Sequence, residues 1–330
     1  MASKAVGMET MSGTDVPAVD QGAPELVTLA PAKGRSAAEL PARVVAARVP
    51  LRQRLRELWA SRELFFFLVR KDLKVKYKGS VLGVAWSMLN PAVMLGVYYV
   101  VFAKFMHSPI PGFALYLFCG LIVWNLFQLA LLGSSSVIVA NAAIVKKVSF
   151  PREILALAQV GTATMFFFFQ AIVFVLFLAA FRYAPVWHLL PLVLFALVDL
   201  IIFTSALSVF LSAVNVYMRD VEHLITVLLL AWQWAIPMVY SFNQIDAGDH
   251  RWLADLLLCD PLLPIVLVFQ RVLYGFRPYS IPGPPQYAIA SFSGVFYAEL
   301  LAMVLVASIA LFLIAMVIFG RIEGNFAEEL

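Results

Sequence analysis

Val69–Pro91, VRKDLKVKYKGSVLGVAWSMLNP, runs without a linker from a basic amphipathic stretch into an apolar one. A cationic membrane flank meets the start of a membrane span. Five more apolar runs follow Val81–Ala103: Phe113–Val139, Ile154–Phe181, Val186–Val214, Val221–Tyr240 and Val295–Phe319. Each holds about 20 residues or more, enough at ~1.5 Å per residue to cross a hydrocarbon core of ~30 Å. The composition agrees: 62% of residues are hydrophobic and 13% charged, about half the charge of an ordinary soluble domain. The expected fold is an all-α polytopic membrane protein with six transmembrane helices.

Lysine and arginine set the orientation. With the amino terminus inside, nineteen of the 24 fall on the cytoplasmic side, and Lys104, Arg182, Arg251, Arg271 and Arg277 fall outside. The positive-inside rule therefore places both termini in the cytoplasm. Residues 1–50 are rich in Ala, Pro and Val, have no aromatic residue and lack the apolar core of a signal peptide, so they are expected to be a disordered cytoplasmic tail. Over 51–80 apolar residues recur near helical spacing, with nine Arg or Lys against three acids between Leu51 and Lys78. That pattern predicts an amphipathic interfacial helix whose basic face meets anionic headgroups; an ordinary positive-inside flank is the plainer reading. Residues 81–330 then form the membrane domain.

Catalytic and metal chemistry find little purchase. Cys119 and Cys259 suit neither a disulfide framework nor a metal site, and His107, His188, His223 and His250 are scattered. No Gly-x-x-x-x-Gly-Lys-Ser/Thr phosphate loop occurs. The acids Asp246, Asp249, Asp255 and Asp260 cluster in the longest outer segment, which keeps open a membrane-embedded glycosyl- or acyltransferase acting on polyprenyl lipids, since such an enzyme needs paired acids near the interface.

Several local features ask for a structural answer. NAAIVKKVSFPREIL, Asn141–Leu155, sets an apolar knuckle among charges in a cytoplasmic loop, with Pro151 placed to start the third span. Asn215, Arg219 and Asp220 mark the second cytoplasmic turn. Pro91 falls mid-span, where it either kinks the helix or serves packing, and Gly79 and Gly83 suit a sharp entry into the membrane. Asp199 is expected at the depth of Gln170, so an interhelical hydrogen bond is favoured over a proton relay. Gly133 and Ser134–Ser136 offer a small-residue face. Between Tyr240 and Val295 the apolar stretch PLLPIVLVFQRVLYGF is broken by Pro261 and Pro264, which predicts re-entrant half-helices between the fifth and sixth spans; an amphipathic surface segment is the alternative. Most Trp and Tyr near span ends serve as interfacial anchors, but some can line a conduit through ring stacking and their N–H or O–H groups, and Tyr98, Trp124 and Trp232 are the candidate channel residues.

The series Arg70, Asp72, Lys74, Tyr77, Gly79, Ser80, Leu82, Gly83, Trp86 and Pro91, together with Asn141–Leu155 and the NVYMRD cluster, resembles type-2 ATP-binding cassette exporter permeases. Within them it is most similar to the branch that exports O-antigen, teichoic acid or galactan. The resemblance covers about Leu64 to the carboxyl end. It implies an exporter that moves a polyprenyl-linked polysaccharide out across the bacterial inner membrane, with no catalysis and no cofactor in this chain; ATP and Mg would sit in two copies of a partner ATPase. Val145, Lys147, Phe150, Arg152, Arg219 and Asp220 would then contact that ATPase. Arg70, Lys74, Tyr77, Gly83 and Trp86 would form the interfacial entry for the substrate, and the outer half-helices would gate the exit. Six spans without an ATP site further suggest a homodimer around a shared channel, with membrane lipid but no nucleic acid as a partner. An exporter of a drug or small lipid would share the coupling loops and is the nearest rival.

Overall fold

The computed structural model describes residues 50–80, 82, 83, 85–107, 109–246, 251–278, 287–289 and 292–330. The expected tail up to residue 49, and Val81, Asp249 and His250, lie outside them. Among the described residues no strand forms, and the protein is an all-α polytopic membrane protein.

The amphipathic segment is two helices, α1 (Leu51–Ala60) and α2 (Arg62–Lys76), separated at Ser61. Phe65 and the buried Val69 press α2 onto α6 at Gly161, where an added Cβ would come within 2.6 Å of Phe65 Cζ. Gly79 and Gly83 take φ of +77° and +49° in the turn that leads into the membrane, backbone that other residues rarely adopt. Past that turn α3 (Ala85–Tyr98) runs through Pro91 and continues as a π-helical stretch, Tyr99–Phe105.

The bundle is built around α4 (Phe113–Ala140). It has apolar residues on all sides, as a helix packed largely within protein must, and most of its side chains are buried. A short helix α5 (Ala142–Lys147) and an extended Val148 lead to α6 (Glu153–Ala180), which packs along α4. Next come α7 (Leu190–Tyr217), also against α4, and α8 (Val221–Ala235). The segment between α8 and the last long helix holds α9 (Phe242–Asp246), α10 (Arg251–Leu258) and α11 (Leu262–Phe269), the last continuing as a π-helical turn, Gln270–Tyr274. Finally α12 (Gly294–Ile322) packs along α7, and α13 (Phe326–Glu329) folds back beneath it. Asp199 does not meet Gln170. Gln170 lies on the face of α6 that meets α4 and accepts a hydrogen bond from Asn125, while both oxygens of Asp199 are buried without a donor. Equal depth on neighbouring helices does not fix which way the side chains face.

Among the described residues five helices are long and apolar enough to span, and shorter apolar pieces supply the candidates for a sixth crossing. The expected fifth span is helical only over Val221–Ala235, because Pro237 holds Ile236 in an extended conformation. Contacts at the two faces decide the path. Tyr217 donates to Ile322 O at 2.7 Å, so the start of α8 and the end of α12 share one face. Tyr116, in the first turn of α4, donates to Tyr240 O at 3.0 Å, which puts Tyr240 at the opposite face. Val221–Tyr240 therefore completes a crossing. Tyr274 returns to that same rim, with its hydroxyl on Pro111 O at 2.5 Å. The pair α10 and α11, bent by 94°, thus enters and leaves on one side, which is the re-entrant shape expected of Pro261 and Pro264. At its tip, Asp260 Oδ2 accepts from Trp232 Nε1 at 2.6 Å and Oδ1 accepts from Leu262 N at 3.0 Å.

Candidate functional site

Two places on the bundle carry chemistry, a cleft within the membrane and a charged knot at the foot of the helices. The cleft has a volume of about 640 Å³ and opens between the end of α2, α3, α4, α6 and α8. Its polar lining is mostly uncharged: Asn90, Asn125, Gln128, Gln170 and Gln233, with Ser87. Rings of Tyr77, Trp86, Tyr98, Phe118 and Phe166 fill the spaces between these amides, and Lys76 is its one cation.

Hydrogen bonds aim the amides. Asn125 Nδ2 donates to Gln170 Oε1 at 2.8 Å and Trp124 Nε1 donates to Gln128 Oε1 at 3.1 Å. Since every amide carries both a donor and an acceptor, each keeps a second half for a further partner. At the cleft's mouth Lys76 Nζ sits 4.1 Å over the Phe166 ring, and the Tyr77 ring meets Phe166 edge-on at 6.1 Å. Desolvation lowers the Lys76 pKa; it raises that of the Tyr77 hydroxyl, against a hydrogen bond with Ser87. A second cavity of about 340 Å³ adjoins this mouth between α2, α4 and α6. There Gln159 Nε2 donates to Asp72 Oδ2 at 2.7 Å. Such a surface can hold hydroxyl-rich or amide-bearing groups by exchangeable hydrogen bonds and ring contact.

Of the candidate channel rings, Tyr98 lines the cleft and the two tryptophans do not. Trp124 is buried inside the bundle against Phe127, the consequence of its place on the central helix. Trp232 packs edge-on against Phe127 at 5.1 Å and spends its indole N–H on Asp260. Tyr77 and Trp86 belong to the cleft, Gly83 to the turn before it, and Arg70 and Lys74 to the exposed side of α2. The sequence reading missed the amides Asn125, Gln128 and Gln233. Their signal was present, because a carboxamide inside an apolar span is itself unusual.

At the foot of the bundle, where α4 ends and α6 begins, Lys147 is exposed, Phe150 is half-buried against the chain's own core, and Val145 is buried. Val145 offers no surface to a partner in this structure, since α5 turns it into the buried cluster that also holds Ile138, Leu155, Phe319 and Phe326. Ile144 of α5 and Val148 just after it, one residue before Val145 and three after, are the large apolar side chains presented outward there. Arg152 also turns inward. Its Nη1 donates to Glu323 O at 2.9 Å, and its guanidinium lies 5.8 Å over the Phe326 ring. Arg219 and Asp220 stand exposed in the turn between α7 and α8. Arg54 of α1 reaches into the same foot and donates to Glu153 and, at 2.6 Å, to Glu323. Burial acts to lower the Arg54 pKa; the Glu323 hydrogen bond and the charges of Glu153 and Glu323 outweigh it and raise the value.

Residues 63–262, from α2 to the first residue of α11, match the model of the ABC-2 type transporter family. The chain belongs to that family. Over 225 residues it is 34% identical to the O-antigen export system permease protein RfbA of Myxococcus xanthus, covering 68% of this chain and 85% of that protein. Two proteins of the same name from Klebsiella pneumoniae are 26% identical over 268 residues and 27% over 272, each alignment covering 81% of this chain and 95% of the relative. As an ABC-2 permease the protein is a transport subunit rather than an enzyme, embedded in a membrane by several passes and dependent on an ABC ATPase. Asp260 fits that role, since its carboxylate accepts from Leu262 N at the start of α11 and from Trp232.

Proposed function

We propose that this ABC-2 permease exports a lipid-linked polysaccharide from the cytoplasmic to the outer side of the bacterial inner membrane. The cleft of amides and rings carries the reading. Uncharged donors and acceptors spaced by aromatic planes suit a sliding chain of sugar hydroxyls, whereas a small apolar drug needs few of them. The names of the similar proteins from Myxococcus xanthus and Klebsiella pneumoniae support a saccharide cargo. Lys76 at the mouth suits the phosphate of a lipid carrier, and α2, with Arg70 and Lys74 on its outer side, suits entry from the inner leaflet.

In this reading the protein works as a homodimer with two copies of the ATPase, which hold ATP and Mg. The exposed Ile144, Lys147 and Val148, with the half-buried Phe150, dock into the ATPase, and Arg219 and Asp220 supply a second contact. Both termini face the cytoplasm, in keeping with the bias of Lys and Arg and with α1 meeting the segment after α12 at one foot. Nucleotide-driven closure displaces the docked segment, and the displacement opens the outer hairpin.

The test removes the amide pair together. Asn125→Leu with Gln170→Leu keeps similar volumes and leaves no orphaned partner. In cells whose surface glycan depends on this permease, display of the glycan is expected to fall about tenfold, a loss of ~1.4 kcal/mol. ATPase co-purification stays intact. Undiminished display would remove the cleft from the transport path.

A further inference from the structure

We infer that Arg54 is a positioning residue in energy transmission: it fastens the amphipathic helix α1 to the foot of α6 and to the segment that follows α12. The inference rests on the reading of Asn141–Glu153 as the ATPase contact. One guanidinium serves two carboxylates that are distant in sequence. Nη1 donates to Glu153, directly after Arg152 of the docking segment, and Nη2 donates to Glu323 at 2.6 Å. The Arg54 side chain is 13% exposed and that of Glu153 3%, so water has little access to the first pair.

Glu323 is itself held from the docking side. Arg152 donates to its backbone oxygen at 2.9 Å and brings Nε to 3.9 Å from Oε1. Beyond Glu323 the chain anchors through Phe326, which is fully buried between Phe319 at 5.4 Å and Tyr217 at 6.1 Å. The slot for Arg54 exists because residue 320 is glycine. A Cβ there would stand 2.6 Å from Arg54 Cζ.

Apolar contact alone fastens α1 weakly. Leu51 and Leu58 are half-buried against the foot, whereas Leu55 and Trp59 are exposed. The guanidinium therefore sets where α1 sits, and with it the start of α2, one residue further on. Since α2 ends at Lys76 and Tyr77 on the mouth of the cleft, a shift of the docking segment passes through Arg54 to the substrate entrance. Glu323 and Arg152 keep the joint from turning about a single bond.

The experiment uses the full permease with its ATPase in liposomes, carrying nitroxide labels on cysteines placed at the exposed Arg56 and Lys146, with Cys119 and Cys259 replaced by alanine. With Arg54 in place the label distance is expected to be the same without nucleotide and after vanadate trapping. In Arg54→Ala it is expected to shift on trapping, and ATP turnover continues while glycan display drops. Glu323→Gln, which keeps the shape, is expected to give a smaller shift, and Arg54→Lys to restore part of the coupling. An unchanged distance in both Arg54→Ala and Glu323→Gln, on complexes that trap vanadate, overturns the joint and leaves the docking reading standing. Loss of the docking reading appears separately: the ATPase would then still co-purify after Ile144→Asp with Val148→Asp.

Discussion

Asp260→Ala should loosen the re-entrant hairpin of α10 and α11. Its carboxylate accepts a 2.6 Å bond from the Trp232 indole and a 3.0 Å bond from Leu262 N, and so ties the tip of the hairpin both to α8 and to the first turn of α11. A hydrogen bond to a charged group contributes about 1.5–3 kcal/mol, and loss of a capping side chain costs about 1 kcal/mol. The substitution should therefore cost about 3 kcal/mol locally, which raises the undocked fraction of the tip roughly 100-fold. Amide hydrogen exchange in detergent or nanodiscs reads this directly, as a fall in protection across Leu258–Val266 while protection in α4 stays the same. Trp232→Phe keeps the edge-on packing against Phe127 and loses only the donor, so it should give a smaller fall. If protection at the tip is unchanged in both variants, the Trp232–Asp260 bond does not hold the hairpin, and its part in closing the outer side must be abandoned.

The spans were legible because membrane insertion is written in composition: about 20 apolar residues in a row admit few other fates. The re-entrant segment was legible for a related reason, as Pro261 and Pro264 interrupt an apolar run too short to cross. What sequence left open was rotation. Whether Val145 or its neighbour Ile144 points outward depends on how a six-residue helix is seated, and either choice satisfies the same local pattern. Trp124 was misplaced because an aromatic residue in a span suits a core and a channel equally. The clue lay in its neighbours: Asn125 and Gln128 are the polar residues that α4 turns to the cleft, while Trp124 packs inward against Phe127 and reaches the cleft only through its hydrogen bond to Gln128. Gln170 was noticed for its depth, yet its partner turned out to be Asn125, set by which faces of α4 and α6 meet. The joint of Arg54, Glu153 and Glu323 had no local signal at all, since nothing near Arg54 in sequence announces partners so remote.

Two further predictions concern how motion reaches the cleft. Ile144→Asp with Val148→Asp puts two charges on the outward face of α5 and should abolish ATPase co-purification, whereas Val145→Asp, aimed at the buried core of the foot, should instead reduce the amount of folded permease recovered; equal co-purification from the first variant and wild type would refute the docking face. Gly161→Val tests the seat of α2. Its new Cβ would lie 2.6 Å from Phe65 Cζ and 2.8 Å from Val69 Cγ2, and the short, buried Val69 side chain cannot give way without moving α2. Overpacking of this kind costs about 1–3 kcal/mol, and the strain falls where Asp72 meets Gln159 and Lys76 lies over Phe166. A thermal shift alone would report only lost stability. The discriminating readout is therefore proteolysis in the exposed turn at Lys78 and Gly79: faster cleavage there, with unchanged cleavage at Arg219, means that α2 has lifted from α6, and equal rates at both sites would show that the glycine is not what seats it.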